Sequence, residues 1–159
     1  MKKLCFVCVL LFTLEGFSQG QNLELISDSL SVLYKQYKKT RNINVPTKAY
    51  ILAEKTKSNA FIKKTYIRFG IRSFFLQDIP NLSLSEQKLF HFFQRTKDSF
   101  ALAKHYHYKA LFFKIKVASD SCFYYYNKSL ELSAELKDSL EVARRYLSMS
   151  NLQQRERDY

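Results

Sequence analysis

The chain has 159 residues, 47% of them apolar or aromatic and 25% charged, so it can bury the core of one domain or one short repeat array and is no disordered tail. Three Gly and two Pro occur, where average usage would supply about eleven and eight, which argues against turn-rich β-sandwiches and doubly wound α/β folds and for an all-α protein. The formal net charge of +12 favours an anionic partner.

In chain order, Met1–Gly20 comes first. Lys2 and Lys3 form a positive start, Leu4–Leu14 an apolar stretch, and Gly16 and Ser18 the small residues a signal peptidase accepts. Residues 1–18 therefore predict a cleaved export signal that leaves Gln19 as the new N-terminus; the apolar run is short for a spanning helix, and an N-terminal anchor or a buried helix is the alternative. The ending Phe17-Ser18-Gln19 after a double-lysine start resembles Bacteroidetes signals, which implies a periplasmic or secreted protein. Cys5 and Cys8 leave with the signal, so Cys122 alone remains and no intramolecular disulfide is expected.

Seven helices follow from periodicity and caps: 22–40, 46–58, 60–77, 84–97, 99–117, 119–135 and 138–157. Pro46 suits the first turn of the second, and Pro80-Asn81 reads as a break. Ser83-Leu84-Ser85-Glu86 reads as a capping box, and Ser119-Asp120 as an N-cap.

An internal repeat organises the later chain. Lys57-Ser58-Asn59, Lys97-Asp98-Ser99 and Lys137-Asp138-Ser139 recur at a spacing of forty, as do Tyr66, Tyr106 and Tyr146. Small residues at Gly70, Ala110 and Ser150, and at Cys122 and Ser129, would let helices approach closely, with aromatics filling the gaps between units. An ordinary bundle with accidental periodicity is the competing reading. Ala103–Leu132 resembles a tetratricopeptide repeat: Tyr106, Ala110 and Phe113 match its first helix, and Cys122, Tyr126 and Ser129 its second. Lys109 stands where Leu is usual, and the period is forty rather than 34. The resemblance implies a right-handed superhelical stack of antiparallel helix pairs, an α-solenoid. Its parts would be a divergent pair at 19–59 and repeats at 60–98, 99–138 and 139–159, the last partial or capping.

Catalytic chemistry has no constellation behind it. His105 and His107 are two apart and on a helix cannot share a metal, and nothing resembles HExxH or a paired-cysteine zinc site. The chain is read as a non-enzyme with no cofactor and no metal. Removing Met1–Ser18 leaves a net charge of +11, of which +8 lies in residues 19–75; a merely solubilising basic surface would give the same sum.

In the repeat family the second position of each first helix lines a concave groove. The resemblance therefore implies a ladder of Lys64, Lys104 and Arg144, flanked by Ile67 and Ile71, His107 and Leu111, and Leu147. Such a groove suits an acidic, partly apolar protein or peptide segment. The expected function is a non-catalytic periplasmic interaction scaffold, with an anionic envelope component as a possible partner and nucleic acid not expected. The alternative is the sensory front of a Bacteroidetes-type membrane signalling protein, a histidine kinase or helix-turn-helix regulator whose output domain lies outside this chain. Oligomeric state stays open.

Overall fold

A computed structural model describes residues 24–157. The expected signal at 1–18 lies outside the described residues. Within them the protein is all-α: α1 (24–40), α2 (Asn44–Lys55), α3 (Asn59–Phe75), α4 (Ile79–Thr96), α5 (Ser99–Ile115), α6 (Ser119–Glu135) and α7 (Ser139–Arg157), with no strand among the described residues. The chain divides into two compact units after Ser58.

The first unit is the hairpin of α1 and α2. At its turn the Asn42 side chain accepts a hydrogen bond from the Asn44 N–H at 3.0 Å. Leu30 and Tyr37 on α1 and Val45, Ala49, Tyr50 and Ala53 on α2 are buried. On α2 these residues fall at three- and four-residue steps, the period of one helix face.

In the second unit each helix packs on the next, α3 on α4 through to α6 on α7, and α3 also touches α5. This is the stack of antiparallel helix pairs expected from the repeat. The stripe Leu82, Ser85, Leu89 and Phe92 forms the buried face of α4, and Cys122, Tyr126, Ser129 and Ser133 form that of α6. Each large apolar member contributes about 1.5–3 kcal/mol by leaving water. Central α5 is buried on most sides, at Ala101, Ala103, Tyr108, Ala110 and Leu111 and also at the polar Lys104, His105 and His107. The small Ala103 lets α6 come close enough for the Ser129 hydroxyl to donate to the Ala103 carbonyl at 2.9 Å.

The joins between helices repeat more finely than the side chains do. Lys57, Gln77, Lys97, Val117 and Lys137, spaced by twenty, all adopt left-handed backbone with φ between 54° and 57°. They end their helices without glycine. At three joins the paired bonds of a Schellman stop are present, as in Asp78 N–H to the Ser73 carbonyl and Gln77 N–H to the Phe74 carbonyl; Ala118/Val117 and Asp138/Lys137 make the same pairs. The next residue then opens the following helix. Asp78, Asp98 and Asp138 accept from the N–H of Asn81, Ala101 and Glu141, each at 3.1 Å, whereas Ala118 has no side chain to offer α6.

One expected helix start and one expected cap are corrected by this pattern. Helix α4 begins at Ile79 rather than 84, capped by Asp78, because Pro80 occupies the first turn, where its missing N–H costs nothing. Ser83 and Glu86 therefore lie inside the helix instead of forming a capping box. The cap of α6 is Ala118, and Ser119 and Asp120 are already helical.

Candidate binding groove

The first helices of successive pairs, α3, α5 and α7, carry the residues expected to line a groove. On α3 Lys64 is exposed and makes no ion pair among the described residues, and Ile67 and Ile71 are half-buried. On α5 Lys104, His107 and Leu111 are all buried. On α7 Arg144 and Leu147 are exposed. The stripe on α5 is thus less accessible than those on α3 and α7.

The two joints between these helices differ. Between α3 and α5 the Tyr108 ring lies against Gly70, and its hydroxyl donates to the Ile67 carbonyl. A Cβ on Gly70 would stand 2.8 Å from the Ser85 Cβ and closer still to the Tyr108 ring, so only glycine leaves this notch open. Forty residues on, Ala110 and Ser148 replace Gly70 and Tyr108, and charge takes over the joint. The Glu141 carboxylate accepts from Lys104 Nζ at 2.6 Å, from Arg144 Nη1 at 2.7 Å and from Arg145 Nη2. Lys104 also lies over the Phe100 ring, 5.2 Å from its centroid.

Two of the three expected ladder cations therefore share one internal carboxylate, and only Lys64 stands apart. Neither Glu141 nor Arg145 was among the residues expected in the groove. A signal for them exists, because in a stack of period forty a side chain can meet one about a turn short of forty positions away. Lys104 and Glu141 are such a pair, and Lys63 with Asp98 is another at nearly the same separation.

Burial and charge set the protonation of this cluster. Burial pushes Glu141 up, but the hydrogen bond and charge of Lys104 and the two arginines outweigh it and hold the carboxyl at about 2. Burial lowers Lys104, and its bond to Glu141 recovers only part of the loss. His107 is held well below its ordinary value by burial first and then by Arg145, Lys104, Arg144 and Lys114. Beside them Tyr126 of α6 is pushed up to about 12, chiefly by burial.

The other histidines are used locally. His105 Nδ1 lies 2.8 Å from a Glu86 carboxylate oxygen, and His91 is exposed beside Gln94. Cys122 is fully buried, and burial raises its thiol to about 11, which keeps it protonated at neutral pH. Among the described residues no three or more His, Cys, Asp and Glu side chains converge as a metal site. No helix among them is long and apolar enough to cross a membrane.

A cavity of about 270 Å³, not anticipated from the sequence, opens where α5 ends; Lys114, Val117, Ala118, Leu152, Arg155 and Glu156 line it. No family model matches this chain, and no curated protein matches its sequence.

Proposed function

We propose that this chain is a non-catalytic interaction scaffold of the tetratricopeptide type, exported to the periplasm or beyond, that holds an acidic and partly apolar segment of another protein along α3, α5 and α7. The observation that supports it is the order of exposure across the three first helices. The stripe Lys104, His107 and Leu111 is sunk, while Lys64, Ile67 and Ile71 on one side and Arg144 and Leu147 on the other stay accessible. A channel with cationic and aliphatic walls selects a ligand of alternating acidic and apolar side chains by steering its charge and burying its carbon.

The test is fluorescence anisotropy with a labelled synthetic peptide of alternating Glu and Leu. Lys64→Glu changes an exposed side chain, so the fold should hold and affinity should fall by about tenfold, the scale of one charge contact reversed. Lys48→Glu, exposed on α2, is the control of equal charge. Equal loss in both variants, or none in either, would overturn the groove reading. Lys104→Glu is a poor probe, because it would set a second carboxylate against Glu141.

A further inference from the structure

The joint between α5 and α7 is left electrically incomplete. Three cations, Lys104, Arg144 and Arg145, converge on the single carboxylate of Glu141. Arg145 is only 2% exposed, yet its Nε and Nη1 find no acceptor among the described residues. The Nδ1 of buried His107 has none either. A buried guanidinium normally meets acceptors on most of its edges, since an unpaired buried donor is costly, and more so when charged. Among the described residues no acidic side chain other than Glu141 is paired with these cations. Arg144 is more than half exposed and forms the solvent side of the cluster.

We propose that Lys104, Arg144 and Arg145 form a binding site for a second oxyanion, a carboxylate or a phosphate, which enters beside Arg144 and shares the cations with Glu141. The planar fork of Arg145 suits a two-oxygen acceptor, and a second anion balances the surplus of positive charge. Burial first, and then the positive field of these cations, disfavour a proton on His107, and such an anion would relieve the second of the two. The site stands on the unpaired donors of Arg145 and does not require the groove reading. That reading would supply one source of the anion, an acidic side chain of the bound segment; a free oxyanion is the other.

The probe is inorganic phosphate titrated calorimetrically into the full chain, with ionic strength held constant by chloride. Wild type should show one saturable site. Arg145→Met should weaken binding by about tenfold or more, the loss of one charge-assisted hydrogen-bonding edge. Its circular dichroism should be unchanged, because an apolar side chain can replace a buried, under-paired charge at little cost to folding. Glu141→Gln removes the resident competitor, so it should bind phosphate more tightly and gain more thermal stability from phosphate than wild type does.

No saturable binding in either wild type or Glu141→Gln would overturn the site, as would equal affinity in wild type and Arg145→Met. Competition between phosphate and the Glu/Leu peptide would identify the bound segment as the source of the anion; saturable phosphate binding without competition would identify the free ion. The effect of Lys64→Glu on peptide binding reports separately on the groove.

Discussion

Gly70 is the position where one added methyl should do the most harm. In Gly70→Ala the new Cβ would overlap the Tyr108 ring and press within 2.8 Å of the Ser85 Cβ. Tyr108 is 1% exposed and tied by its hydroxyl to the Ile67 carbonyl, so it cannot swing into solvent. Ser85 Cβ is fixed to the α4 backbone, and relief there means moving a helix. Overpacking of this kind costs about 1–3 kcal/mol, and losing the Tyr108 bond adds about 1 kcal/mol. Alanine's better helix propensity returns about 1 kcal/mol. The net loss is about 2 kcal/mol, which in a unit of this size lowers Tm by roughly 10 °C. Thermal melting followed by far-ultraviolet circular dichroism measures it. In the double variant Gly70→Ala/Tyr108→Ala the ring overlap is gone and the Ser85 contact alone remains, so the methyl's cost should be smaller than in the Tyr108 background. A Gly70→Ala protein that melts at or above wild type, or costs that simply add in the double variant, would refute the notch.

Three further outcomes are expected from the joins and the charge cluster. Val117 is 77% exposed and β-branched with φ of 57°; Val117→Gly releases about 1–2 kcal/mol of left-handed strain against about 1 kcal/mol of added chain entropy, so Tm should rise by a few degrees. Ala118→Asp restores the cap that Asp78, Asp98 and Asp138 supply at the other joins and should stabilise by about 1 kcal/mol in denaturant titration. Stability should also fall with acid in two stages. Below the ordinary histidine value of 6.5 the unfolded chain takes a proton that His107 in the folded chain refuses. From 4.5 towards about 2 the folded Glu141 resists a proton that the unfolded chain accepts. Glu141→Gln should shrink the second stage without removing it, because Asp98, bonded to Lys63, is also held below its ordinary value, and pH-dependent melting of both proteins would show it.

The helix count and the helical pairing were legible because apolar stripes recur with a helical period and polar residues mark several of the joins, as at Leu82, Leu89 and Phe92 in α4 and at Asp138 before α7. The twenty-residue rhythm of the joins was not. Its left-handed stops are Lys, Gln and Val, residues with no local preference for that conformation, and only packing of the flanking helices imposes it. The α4 start was hidden because proline breaks a helix interior but fits a first turn, and sequence alone did not say which applied at Pro80.

Of the expected groove residues on α3, Lys64 is exposed and Ile67 and Ile71 are half-buried. Lys104 and His107 were read as accessible by analogy along the repeat. Their burial depends on Glu141 and Arg145, where the equivalent positions one unit earlier are Ala101 and His105. A substitution in the next unit, not in α5 itself, decided the environment of α5.

The uniform joins have a consequence for how such a chain can grow or shrink. A segment that runs from one Lys-Asp junction to the next, as from Asp98 to Lys137, carries its own opening cap and its own left-handed stop. Duplicated or deleted in the gene at those junctions, it would leave every remaining helix pointing in its original direction and each new junction capped by aspartate. A change of one helix, twenty residues, would keep the turns but reverse the direction of all that follows. The length of the molecule is therefore free to change in units of forty, with no new loop to be invented.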